Sequence, residues 1–160
     1  MKKDLRKHYI KEMFTGHLDL EQLKRSGIWL NGFKGEGEYR EWHNNGQLFE
    51  QCYYKNGKLD GEYKSWHDNG QPHAHCYYKN DKREGEYKAR HAHGRRAIYS
   101  FYKNDKRDGE HKQWYGNGHL FVHCFYKNGK LNGEYKKWHI NRQLERHCHY
   151  ANDKIIRRIK

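Results

Sequence analysis

From Gly37 onward, apolar and charged residues follow one another in short alternating runs, punctuated by Asn-Gly and Asn-Asp pairs. Gly37, Gly61, Gly85, Gly109 and Gly133 open the same phrase each time, at a step of 24 residues without insertion. Numbered from that glycine, the phrase is G-E-Y-K-x-W-H-x-N-G-Q-L-x-x-x-C-Y-Y-K-N-G-K-x-x. Position 3 is Tyr39, Tyr63, Tyr87, His111 and Tyr135, and position 18 is Tyr54, Tyr78, Tyr102, Tyr126 and Tyr150. A fixed period of this size marks a repeat array, in which each unit is too small to bury a core alone and depends on its neighbours.

Each unit carries two turn signals, one at positions 9–10 and one at positions 20–21. Asn45-Gly46 and Asn56-Gly57 are the first of each kind. Asn-Gly between aromatic-rich runs predicts a two-residue type I′ turn, which needs positive φ at both central residues. Two such turns per unit leave two strands of roughly 6–8 residues, so about five units predict an all-β meander of roughly ten strands. Pairing across the first turn sets position 7 against 12, 3 against 16 and 1 against 18. Pairing across the second sets 18 against 23, and 16 against the next glycine. Side-chain alternation then puts Tyr 3, His 7, Leu 12, Cys 16 and Tyr 18 on one face, and Glu 2, Lys 4, Trp 6, the aromatic at 17 and Lys 19 on the other. The position-18 tyrosine is expected to lie over the strand glycine, which has no side chain of its own to pack.

These residues resemble the MORN repeat family in its second variant, G-x-Y-x-x-W/Y-x-x-N-G-Q-L…Y-K-N-G-K, over Gly27 to about Asp153. The resemblance implies a single elongated, twisted antiparallel sheet used for protein–protein contacts, membrane attachment or scaffolding. Related arrays occur in bacteria, where some carry an antitoxin label, and in large DNA viruses. The many histidines and the cysteine at position 16 depart from the usual pattern and leave the partner open. Residues 1–26, with "DLEQLKR" as a short helix, are expected to cap the array, residues 27–153 to form it, and residues 154–160 to make a basic tail.

Composition refines the picture. Mean hydropathy is −1.46, yet aromatic residues make up 16% of the chain, which suits a sheet with ring ladders better than disorder. No apolar run reaches the ~18 residues that a spanning helix needs, and the N-terminus "MKKDLRKHYI" lacks a secretory apolar segment. Cys52, Cys76, Cys124 and Cys148 all fall at position 16. Adjacent copies stand about 9–10 Å apart across two strands, beyond the ~7 Å a disulfide tolerates. Reduced thiols and an intracellular setting follow as expectations: the cytoplasm, or the host cytoplasm or virion for a viral chain.

Chemistry is sparse. "HAHC" (His73–Cys76) and "RHCH" (Arg146–His149) are the best metal candidates, but in both the cysteine points away from the histidines on a strand, and no C-x₂-C pair exists. No metal site and no cofactor are expected. The recurring glutamates Glu38, Glu62, Glu86, Glu110 and Glu134 behave as scaffold residues, and no nucleophile and base break the repeat, so no catalytic residue and no enzyme are expected.

Charge is the functional clue, at +13 with pI near 9.5. Lysines recur at position 4, at position 19 (Lys55, Lys79, Lys103, Lys127) and at position 22 (Lys58, Lys82, Lys106, Lys130, Lys154). Position 4 shares its face with Trp 6, which makes Lys64, Trp66, Lys88, Lys112, Trp114, Lys136 and Trp138 the candidate binding face. Two uses compete for it. Cations between rings suit single-stranded nucleic acid or an anionic lipid surface. The plainer alternative is that Lys 4 and Glu 2 form screened surface pairs, while turn lysines keep the sheet soluble and block edge pairing. The leading expectation is a non-catalytic scaffold for a protein partner, with polyanion binding and antitoxin-like masking as alternatives.

Overall fold

The computed structural model describes residues 28–29 and 35–160. The expected helical cap over residues 1–26 lies outside that range. The described chain is all-β, with no helix. Twelve strands form one antiparallel sheet in sequence order. They are β1 (Ile28–Trp29), β2 (Gly37–Trp42), β3 (Leu48–Lys55), β4 (Lys58–Trp66), β5 (Pro72–Lys79) and β6 (Lys82–Arg90), followed by β7 (Arg96–Lys103), β8 (Lys106–Trp114), β9 (Leu120–Lys127), β10 (Lys130–Trp138), β11 (Leu144–Ala151) and β12 (Lys154–Arg158). Residues read from the sequence as a basic tail thus supply the last strand, whose Lys154 to Arg158 pair with β11.

The registers repeat. Gly61↔Tyr78 and Tyr63↔Cys76 in β4–β5 have the same positions opposed as Gly37↔Tyr54 and Tyr39↔Cys52 in β2–β3. Positions 1/18 and 3/16 therefore pair as the period predicts. Two bulges were not predicted. At the first turn Trp42 faces Leu48, so position 6, not 7, meets position 12. Across the second turn Cys52 faces Tyr63, so position 16 meets position 3 of the next unit rather than its glycine. Because that shift is two residues, the alternation of faces survives it.

The two turns differ in kind. The second is type I′ as expected: φ is positive at both Asn56 (51°) and Gly57 (75°), and at Asn80-Asp81, Asn104-Asp105, Asn128-Gly129 and Asn152-Asp153. The first is a wider loop. The Gly46 amide donates to the His43 carbonyl and the His43 amide to the Gln47 carbonyl, and only Gly46 has positive φ (83°). A type I turn followed by a left-handed residue has this bond pattern. Arg142 takes the glycine's place in the last of these loops, at φ 69°.

The core is one face of the sheet. Cys52, Cys76, Cys124, Cys148 and Ser100 at position 16 are at most 2% exposed, flanked by buried Ser65, Ala74, Ala89 and Val122. Rings of positions 3 and 18 meet edge-on beside this spine, from Tyr39–Tyr54 at 6.1 Å to Tyr135–Tyr150 at 5.5 Å. Edge-to-face pairs at such distances add about 0.5–1.5 kcal/mol beyond burial. The four cysteines are free thiols.

The ring that closes on the strand glycine is not the expected one. A Cβ at Gly61 would lie 3.0 Å from the Tyr53 Cβ, and at Gly109 3.2 Å from that of Phe101. Both are position-17 residues of the preceding strand. The bulge swings this residue over the glycine, whose φ of +129° at Gly61 already excludes most side chains.

Candidate functional site

The open face carries positions 2, 4, 15 and 17. Residues two apart on a strand project from the same side, so each position-2 glutamate sits beside its own position-4 cation. The pairs are Arg40–Glu38 at 2.8 Å, Lys64–Glu62 at 2.7 Å, Lys88–Glu86 at 2.5 Å, Lys112–Glu110 at 2.7 Å and Lys136–Glu134 at 2.8 Å. A third group from the neighbouring strand joins each glutamate. Position 15 supplies Gln51 to Glu38, His75 to Glu62, Tyr99 to Glu86, His123 to Glu110 and His147 to Glu134.

Electrostatics follow from this geometry. The hydrogen bond from Lys64, with a second from His75, holds the Glu62 carboxyl below its usual range, and the same carboxylate raises Lys64. Lys112 and then His123 lower Glu110; Lys136 and then His147 lower Glu134. These groups are largely solvated, so each pair is worth about 0–1 kcal/mol. Their larger effect is on charge: every position-4 cation has a carboxylate partner on its own strand.

The sequence-selected residues fall into two open hollows along this face. Lys64, Trp66 and Lys88 line one of about 530 Å³ with Pro72 and His73. Lys88, Lys112 and Trp114 line another of about 680 Å³, with Leu120 and Ile98. Lys88 borders both. Arg90, where the other units have tryptophan, stands between the two hollows and donates to the Gly94 carbonyl. Lys136 and Trp138 lie on β10, outside either hollow.

The tryptophans are half-buried rather than free-standing. Their backbone carbonyls take part in a ladder between successive loops, with His43 Nε2 bonded to the Trp66 carbonyl, His91 Nε2 to that of Trp114 and the Tyr115 hydroxyl to that of Trp138. Position 7 is therefore a loop strut, not the face residue the sequence suggested.

Charge without a counter-ion gathers elsewhere. The type I′ turns set Lys55 against Lys58, Lys79 against Lys82, Lys103 against Lys106 and Lys127 against Lys130. All eight are exposed, and none makes a salt bridge among the described residues. Carboxylates near these turns are spent on backbone: Glu36 accepts from the Asn56 amide, Glu84 from Asn104 and Asp108 from Asn128.

No helix among the described residues is long and apolar enough to cross a membrane. A comparison with curated proteins finds no match. The model of the MORN repeat variant matches three segments, residues 35–56, 59–80 and 107–128. Each matched segment begins near the strand glycine or ahead of it and ends at a type I′ turn, the repeat boundaries seen in the sheet. On these matches and this sheet, the chain carries repeats of the MORN variant.

Proposed function

We propose that the chain is a non-catalytic scaffold of about five repeat units whose open face docks another protein. Members of this family generally serve as scaffolds for contacts with proteins or membranes. The observation that carries the choice of a protein is the ladder of Glu–cation pairs: the candidate face is charged but internally balanced, from Arg40–Glu38 to Lys136–Glu134. A polyanion groove needs cations free to release counter-ions to phosphate. Half-buried Trp66 and Trp114 within polar-rimmed hollows offer instead what protein interfaces use, an aromatic anchor inside a polar border. Masking of a partner, as an antitoxin does, is one form such docking would take. An intracellular setting fits the four free thiols.

The test is site-specific photo-crosslinking in the native cell, with the photoreactive residue at Tyr77 on the open face or at Asn104 in a type I′ turn. Protein adducts from Tyr77 support docking there. Adducts that nuclease removes, formed from both positions alike, would sink it.

The row of exposed turn lysines, Lys55 to Lys130, supports a second reading, a polyanion or anionic lipid held along the sheet's edge rather than on its face. Equivalent turns stand about 9–10 Å apart, and adducts confined to Asn104 would favour it.

A further inference from the structure

At one place the open face departs from its own repeat. Position 15 is Gln51, His75, Tyr99, His123 and His147; position 17 is Tyr53, Tyr77, Phe101, Phe125 and His149. Histidine occupies both only at 147 and 149. Alternation along β11 puts the two on one side, and the register sets His149 opposite Glu134 on β10. The ligating atoms of Glu134, His147 and His149 consequently lie within 4.8 Å of one another, all three half-buried. His147 Nε2 already bonds the Glu134 carboxylate at 2.8 Å.

We infer that Glu134, His147 and His149 form a site for a single divalent cation of the zinc class. Zinc binds imidazole nitrogen at about 2.0–2.1 Å and carboxylate oxygen at about 2.0–2.2 Å. Donors around one tetrahedral ion therefore stand roughly 3.3–3.5 Å apart, which side-chain rotation reaches from the present spacing without moving either strand. Two imidazoles and one carboxylate suit zinc, copper or nickel, whereas calcium and magnesium prefer all-oxygen sites. The ion replaces the proton between His147 Nε2 and Glu134, and the fourth position faces solvent, where water completes the tetrahedron. Cys148, between the histidines, is buried on the opposite face and contributes nothing.

A packing explanation for the ring at 149 is missing. In three other units the position-17 ring closes on the next glycine, Tyr53 on Gly61, Phe101 on Gly109 and Phe125 on Gly133, while Gly85 lies open. The residue 24 positions after Gly133 is Arg157, paired with His149, so there is no glycine to cover. Two cations border the site: Arg157, and Lys136, which lies 2.8 Å from Glu134. Both are long side chains, and a carboxylate has a second oxygen to offer Lys136 when the first binds metal.

The test is calorimetric titration of zinc into the chelator-stripped full chain, with the electronic spectrum of the cobalt(II) form as a readout of tetrahedral nitrogen–oxygen coordination. Wild type should bind one zinc per chain. His149→Phe, which installs the side chain of Phe125, and His147→Gln, which installs the side chain of Gln51, should each weaken binding by about tenfold or more, with unchanged far-UV circular dichroism. His123→Gln removes an equivalent histidine–glutamate bond from a unit with no second histidine and should leave affinity as it was. Absence of saturable zinc binding to wild type overturns the site. So does binding that survives His149→Phe, which would place the ion at the cysteines or at the His67–His73 pair.

Discussion

At His111 solvation and packing conflict within one residue. It takes the position-3 place of tyrosine, edge-on to Tyr126 at 5.8 Å, only 4% exposed, and its Nδ1 finds no partner. Burial, with the Arg107 charge adding to it, pushes its pKa down to about 4 from 6.5. The folded state therefore prefers the neutral ring. That preference costs nothing above pH 6.5, and as pH falls from 6.5 towards 4 the unfolded chain binds the proton first and stability is lost. The full difference amounts to about 3 kcal/mol at most. His111→Tyr should flatten the fall in melting temperature between pH 7 and 4, a difference read directly from paired melts; parallel curves would show that His111 titrates normally. Glycine offers a second residue-scale test. Gly85 and Gly61 both have positive φ, but a Cβ at Gly85 meets nothing within 4 Å, whereas at Gly61 it meets Tyr53 at 3.0 Å. Gly61→Ala should cost about 1–3 kcal/mol more than Gly85→Ala in denaturant unfolding.

Hairpins are held to one another by their loops as well as by their strands. In the loop His67–Gly70, Asn69 Oδ1 accepts from the Gln71 amide at 3.0 Å and its Nδ2 donates to the Ala92 carbonyl of the next loop at 2.7 Å. Asn69→Ala should cost about 1 kcal/mol and speed hydrogen exchange at the Gln71 amide; an unaltered exchange rate there would show that the loop holds without the strut. The repeat pattern does not encode these bonds visibly. Asn-Gly at positions 9–10 reads as a two-residue turn, and only the pairing of position 6 with position 12, as in Trp42 with Leu48, shows that the loop begins earlier and turns on a single left-handed residue. Both bulges lie between landmarks whose spacing they leave unchanged, so the period of 24 residues is blind to them. Strand identity, sequence order and the Tyr 3–Cys 16–Tyr 18 face were legible because they depend only on that period and on alternation.

For the whole molecule, the issue is where a net charge of +13 resides. Lys64, Lys88, Lys112 and Lys136 were legible as one face, and so was the partnership of Glu 2 with Lys 4. What could not be read was that position 15 completes each group from the next strand, or that Glu134 meets His147 and His149. Along one strand "RHCH" fails as a ligand set because Cys148 points away, and no spacing in the chain signals that Glu134 joins the two histidines across strands. The balance of charge on the face can be measured directly: fluorescence anisotropy of a labelled single-stranded oligonucleotide titrated with the protein over a range of salt. With the face neutralised by its own glutamates, binding should be weak and lost near the physiological ionic strength of about 0.15 M, where charges are screened beyond roughly 8 Å. What remains at low salt should be carried by the turns, so Lys55→Gln with Lys79→Gln and Lys103→Gln should flatten the salt slope, at about 0.7 per phosphate released. Lys64→Gln with Lys88→Gln and Lys112→Gln, or Trp66→Ala with Trp114→Ala, should leave it unchanged. Micromolar binding that persists at about 0.15 M salt and falls when Trp66 and Trp114 are removed, at the roughly 1–3 kcal/mol per base that stacking supplies, would contradict a balanced docking face and make it a nucleic-acid groove.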